Sequence, residues 1–363
     1  MAAIHVPTPV SHALQDPLGY NGAAEGFIFL SACLTGLVHG NGYLRGGWPE
    51  MSNRIWKRTR WIYFVHLASL IPIVLIAWAF AGPMVPLANH FHDFLLQPVR
   101  ALLLMPLLLN QPPLFDILPL YIVFLGLTPF MFAIARRYGW GFVLSVSGLG
   151  WLAVQTGLEA RLLDGLLQPF FLGSFNLMSW QFLWVCGVAI GEASLRRQIV
   201  SSRFRATLLA PAIAIVLLGF AMRHEIWPQT WWNPNMFKSM DKWTLGPLRL
   251  LNFAAWGALL LAWNPHPPAH LMAPTALLGR HSLAVFAFHL PLVIAATTVI
   301  QVFTLSDTTQ TVVAFLLIGL LFVWAALLDR NKRPPGPTAK QRQKGPLKAS
   351  FQPRRATGET AGQ

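Results

Sequence analysis

The residues of this sequence best suited to chemistry are histidines and carboxylates set in or beside apolar runs. They are Glu25 in GYNGAAEGFIFLSA, His66 in RWIYFVHLASL, Asp116 in FDILPLYIV, and His281 and His289 in LLGRHSLAVFAFHLP. A neutral imidazole can remove a proton from a hydroxyl, and a carboxylate beside it can orient the ring and stabilise the imidazolium. Each position also has a structural explanation. Glu25 sits where a helix dipole favours negative charge, and Asp116, after Pro112 and Pro113, is placed to cap a helix. His66 faces the interior of a bundle as a satisfied group or a reactive one, and His289, two residues before Pro291, marks a kink with a polar lining. Trp180 and Gln181 fall near a boundary where an indole is usually an anchor.

Cations form a second group. Lys57, Arg58 and Arg60 in RIWKRTRW, with Arg280 later in the chain, make a basic rim of the kind that holds a phosphorylated donor such as an acyl-coenzyme A. Retention of positive charge on the cytoplasmic side accounts for the same residues equally well. Other chemistries find no support. No glycine-rich phosphate loop follows a strand, and His90 and His92 have no further ligands at metal spacing. Cys33 and Cys186 lie in apolar runs and read as packing residues.

The elements that position these groups follow from composition. The 363 residues are 55% hydrophobic and only 11% charged, against about 25% charged in soluble domains, so the apolar excess must face lipid. The expected fold is all-α, a polytopic bundle of about nine spans of some 20 residues each. They are placed at Ala23 to Gly40, Trp61 to Ala81, Asp116 to Ala135, Trp140 to Thr156, Met178 to Glu192, Ala206 to Met222, Pro247 to Trp263, Ser282 to Phe303 and Thr311 to Leu328. Ala101 to Leu109, interrupted by Pro106, reads as a half-span or an interfacial helix on the outer side. Residues 1–22 form an outer segment, 23–328 the membrane domain, and 329–363 a basic disordered tail. Most of the 27 Lys and Arg fall in alternate connections and in that tail, which places the C-terminus in the cytoplasm. The net charge of +14 is thus a topogenic signal with an anionic-lipid contact for the tail, not a nucleic-acid surface.

Nine spans with an inner C-terminus leave the N-terminus outside, with no Lys or Arg and no leader to carry it there. A tenth helix preceding this sequence would resolve that. The ordered strings LGYNGAAEGFIFLSACLTGLVHG, RIWKRTRWIYFVHL, DILPLYIVFLGLTP, WQFLWVCGVAIG, DKWTLGPLRLLNFAAWG and LGRHSLAVFAFHL resemble landmarks of the OpgC family from about His5 to Leu328. These are bacterial inner-membrane proteins related to the acyltransferase-3 superfamily and implicated in succinylating osmoregulated periplasmic glucans. In that family a first helix opens on an Asp-x-x-Arg-Gly type motif and ends at a histidine taken to be catalytic. His5 stands where that histidine would fall, and the helix before it is missing. FLSA, with Ala32, departs mildly from a pattern that more often has glycine after the serine.

The resemblance implies O-acyl transfer from an acyl-CoA, such as succinyl-CoA, to a glucan or related polysaccharide. In that reading His5 is the base, Glu25 and then Asp116 are the carboxylates to orient it, and Arg249, His281 and His289 are available to a developing oxyanion. Lys57, Arg58 and Arg60 match the family's arginine-rich motif and would hold coenzyme A phosphates. Two alternatives remain open: a transporter or flippase that uses the same polar residues as a pathway, and an inactive truncated homologue.

Overall fold

The computed structural model describes residues 5–6, 8, 11, 15–79, 96–109, 111–112, 114–163, 173–195, 202–226, 234–263 and 267–332. His90 and His92, the linkers around Arg196 and Arg197, and the basic tail beyond Lys332 lie outside them. The described residues are all-α. Ala23–Ala79 runs as one helix bent at Gly47 (φ 71°, ψ −171°), a conformation open to glycine alone, and it divides into α1, Ala23–Tyr43, and α2, Arg45–Ile76. There follow α3 (Pro98–Leu104), a 3-10 turn (Met105–Leu107), α4 (Ile117–Tyr138), α5 (Trp140–Gln155), α6 (Leu158–Leu163), α7 (Leu177–Leu195) and α8 (Ser202–Arg223). The chain ends on α9 (Pro234–Ser239), α10 (Pro247–Trp263), α11 (Ala269–Arg280), α12 (Ser282–Val302) and α13 (Asp307–Lys332).

Five of these, α1, α2, α4, α12 and α13, are long and apolar enough to cross a membrane, rather than the nine expected from the sequence. The reason is physical. Trp140–Gln155 and Pro247–Trp263 have 16 and 17 residues, short of the ~20 that span a hydrocarbon layer, while α7 dilutes its apolar run with Gln181 and Glu192. A second correction concerns α2, which starts at Arg45 instead of Trp61. Arg and Lys are good helix formers, and Met51, Ile55 and Ile62 bury completely along one face, so the basic stretch is helix and not loop.

Small residues bring α1 against α7. A side-chain carbon added at Gly36 would sit 2.1 Å from the Val188 carbonyl oxygen, and one at Gly191 would sit 2.0 Å from the Cys33 oxygen. Ala32 meets Gly187 in the same seam, so alanine in FLSA preserves the close approach. Replacing Gly191 by leucine is expected to push the helices apart at a cost of about 1–3 kcal/mol or more, seen as a lowered Tm in detergent. Gly257→Ala, where a new carbon meets nothing within 4 Å, should leave Tm unchanged. At one end of this seam Glu192 accepts from Arg136 (2.9 Å) and from the Trp140 indole (2.6 Å), tying α4 and α5 to α7.

Candidate active site

The segment before α1 is built into the bundle. Val6 is fully buried against Ala296 and Ile300 of α12 and Ala314 and Leu317 of α13, which sets His5 beside those helices. Just beyond it, Thr8 and Ser11 close a turn on each other: each backbone N–H donates to the other's hydroxyl (3.0 and 2.9 Å), and Ser11 Oγ donates to the Thr8 carbonyl (2.7 Å). Residues 15–18 are then strapped over α8 and α10, with Arg223 donating to the Gln15 carbonyl (3.1 Å) and the Trp256 indole to the Leu18 carbonyl (3.0 Å).

His5 and His289 are electrostatic neighbours, and Lys242 also acts on His5. Burial lowers the His5 pKa to about 4, with smaller pushes from Lys242 and from His289 whenever that ring is protonated. His289, on α12, is 3% exposed. Its Nδ1 lies 2.5 Å from the Phe286 carbonyl, which can only accept, so Nδ1 carries the proton and Nε2 presents a lone pair. That Nε2 is buried and has no hydrogen-bond partner among the described residues. The sequence reading offered His289 to a developing oxyanion, but in this tautomer Nε2 is an acceptor and takes a proton rather than giving one.

Asp116 does not cap α4 with its side chain, contrary to the capping expectation. Its Oδ2 instead accepts the Ser174 backbone N–H at 3.0 Å. Gly173, at φ +115°, passes so close that an added carbon would lie 2.3 Å from Asp116 Cβ. Burial raises the Asp116 carboxyl above the usual range, against the opposing pull of Ser174 and Lys242.

Glu25 goes elsewhere. It is fully buried and bound to Arg249 Nε, and its Oε2 accepts the Gly22 N–H at 3.0 Å. Arg249, 3% exposed, also reaches Asp16 at 3.2 Å. The carboxylate first in line to orient His5 is therefore the counter-ion of an arginine that anchors α10 to the entry of α1. Asn21 and Asn252 join the same two segments at 2.7 Å.

His66 is fully buried, as its position inside a span predicts. Its Nε2 lies 3.0 Å from Gln111 Oε1, and the Gln111 amide donates to the carbonyls of Met105 (2.9 Å) and Leu109 (3.2 Å). Nε2 thus bears the proton, and Nδ1 has no partner among the described residues. His66 packs on Phe115, the residue before Asp116, while no described hydrogen bond or ring contact joins it to His5 or His289. His281 and Arg280 form a separate group on Asp329, at 3.4 and 3.2 Å.

Of the basic residues on α2, Lys57, Arg58 and Arg60 are all exposed. Arg58 acts on the Tyr121 hydroxyl, and from Tyr121 a chain of rings leads to the histidines. Tyr121 meets Phe27 (5.7 Å between centroids), Phe27 stacks on Phe286 (5.5 Å), and Phe286 touches His289 (4.8 Å). Tyr121 and Lys242 escaped the sequence reading. Neither stands in a pattern that separates it from ordinary core or loop residues, although DKWTLG, which contains Lys242, was one of the landmark strings.

Described residues that are all α-helical, with helices long enough to cross a membrane, two buried histidines, His66 and His289, each with a ring nitrogen that has no partner among them, and a cationic face on α2, define a membrane bundle with an internal polar site. The chain belongs to the OpgC protein family, whose family model matches residues 1–333. No curated protein and no solved structure matches it.

Proposed function

We propose that the chain is an integral inner-membrane O-acyltransferase, moving a succinyl or similar acyl group from an acyl-CoA to hydroxyls of a periplasmic glucan. Family membership supports the class of substrate. The observation that carries the chemistry is the buried His289 Nε2 on α12, which has no partner among the described residues, on the same helix against which Val6 packs the segment that carries His5.

In this reading His5 takes the proton of the acceptor hydroxyl as that oxygen attacks the thioester carbonyl. His289 is a second acceptor beside it, and the repulsion between two imidazolium ions ensures that only one holds a proton at a time. Lys57, Arg58 and Arg60 hold the coenzyme A phosphates as charge-assisted donors, and the ring path from Arg58 through Tyr121, Phe27 and Phe286 connects that face to the histidines. The C-terminus is cytoplasmic and the Asp116 end of α4 faces the periplasm. The transfer is tested by mass spectrometry of periplasmic glucans from a deletion strain carrying the wild-type gene or His289→Ala. An added acyl mass with the wild type that falls sharply in the variant is expected. Glucans unchanged by either gene would refute the assignment.

A further inference from the structure

At His5 the carboxylate expected to orient the ring, Glu25, is bound to Arg249 instead. An imidazole that does have a side chain to orient it stands at His66, which takes no proton in the proposed transfer. Gln111 accepts the His66 Nε2–H at 3.0 Å. The Gln111 amide cannot turn over, because its nitrogen donates to two carbonyls, Met105 at 2.9 Å and Leu109 at 3.2 Å. The turn that offers those carbonyls is tied to α2 one helical turn before His66, where the Tyr63 hydroxyl donates to the Pro106 carbonyl at 2.8 Å. Ser69 Oγ closes on the His66 carbonyl at 2.7 Å, and Phe115 lies against the ring at 6.2 Å between centroids.

Holding the segment in this shape strains its backbone. Leu108 and Leu114, on either side of Gln111, have φ of +64° and +73°, a region that leucine seldom enters. Such outliers persist where the surrounding structure over-determines them, and they gather at ligand sites. Irregular backbone packed this far inside a span, ~15 Å along α2 from Ile76, is kept only where protein covers it or where it lines a cavity.

What the clamp delivers is one lone pair. With the proton fixed on Nε2, Nδ1 can only accept. His66 is fully buried, and Nδ1 has no partner among the described residues. Gln111 is a neutral amide, so it fixes ring and tautomer without the negative charge that would favour an imidazolium. The site is therefore suited to receive a neutral O–H or N–H rather than to keep a proton, and a bare acceptor in a low-dielectric interior is costly until such a group arrives.

The position of His66 selects between the substrates. α2 and α4 pack along one seam. The Trp56 indole donates to the Gly126 carbonyl at 3.0 Å, and the Thr59 methyl would lie 3.7 Å from a carbon added at Gly126, which sets the turn carrying Lys57, Arg58 and Arg60 at one level of that seam. His66 and Phe115 meet at another, roughly six to nine residues further along α2, or ~9–14 Å. An acyl-CoA whose phosphates rest on those cations carries beside them a flexible arm with a hydroxyl and amide N–H groups. Between Arg60 and His66 stand Trp61, Ile62, Tyr63, Phe64 and Val65, and the one hydroxyl among them is already engaged by Pro106.

We propose that His66, held by Gln111, is the hydrogen-bond acceptor for an amide or hydroxyl of the pantetheine arm of the acyl donor, a binding role that rests on the acyl-transfer reading. It forms no bond to the acyl group. It lets the bundle recognise the arm of the thioester as well as its phosphates.

The test is calorimetric binding to the purified full chain in lipid nanodiscs, with two probes: coenzyme A, and 3′-phospho-ADP, which carries the same phosphates without the arm. His66→Gln sets an amide donor where Nε2–H stood, keeps Gln111 paired and removes the Nδ1 acceptor. It is expected to weaken coenzyme A about tenfold and to leave 3′-phospho-ADP within about twofold. Equal loss of both probes overturns the assignment. So does coenzyme A bound as in wild type, the result that a nitrogen holding only a structural water would give. In either case acyl transfer stands, because the wild-type protein still binds the donor; wild-type protein that binds neither probe overturns the donor reading as well. Should His66→Gln elute as aggregate, Gln111→Met, which leaves the ring but releases its tautomer, is measured in its place, and wild-type affinity for coenzyme A in it would equally overturn the assignment.

Discussion

His5→Ala is expected to lower acyl transfer by about 10²–10⁴-fold, the usual contribution of a positioned base, with KM for the acyl donor little changed. The reason lies in the pocket as much as in the residue. Burial, with smaller pushes from positive charge nearby, lowers the His5 pKa to about 4, so its imidazole is neutral and able to accept a proton throughout the physiological range. The sign follows directly: a depressed pKa keeps the base available as pH falls, and activity declines only when protonation sets in. The pH profile of kcat/KM should therefore be level down to about pH 5.5 and fall with one proton below that, well under the midpoint near 6.5 of an ordinary histidine. A midpoint near 6.5 in vesicles would show that the working base is not held in this environment.

Breaking the buried ion cluster at the entry of α1 is expected to have the largest effect on stability. Arg249 is 3% exposed and has Glu25 and Asp16 as its counter-ions. Glu25→Gln strands most of that charge, and removing one partner of a buried pair costs about 3–5 kcal/mol. The variant should show a large fall in Tm in detergent, with activity lost through the displaced α10. Glu25→Gln combined with Arg249→Met removes both charges and is expected to recover much of the Tm, because the penalty of an uncompensated buried cation is gone. Failure of the double variant to exceed the single one would show that Glu25 does something other than balance Arg249.

Much of this was legible in the sequence. Apolar runs and charge depletion announced an all-α membrane bundle, and polar residues at depth flagged His66 and His289, both of which are buried. Other features depend on three-dimensional partners that spacing does not reveal. Glu25 and Arg249 are separated by 224 residues, so nothing local marks them as a pair. Trp180 near a helix start looks the same whether it faces lipid or, as here, is buried and donates to the distant carbonyls of Lys242 and Trp243. The capping expectation for Asp116 failed because Gly173 brings a distant segment of the chain against it. The span count failed for a different reason: apolar runs of 16 or 17 residues are too short for the layer alone, a shortfall that tolerant length limits conceal.

Reconstituted transfer tests whether His5 and His289 form the proton-accepting site of an acyltransferase. Purified protein in vesicles would be given acyl-labelled succinyl-CoA and a glucan oligosaccharide, with His5→Ala, His289→Ala and wild type compared at equal folded fraction. Labelled ester on the glucan and free coenzyme A in equal amounts are expected with wild type, and a large loss of both in each variant. Movement of label or glucan across the vesicle without ester formation would contradict it and assign the same polar residues to transport.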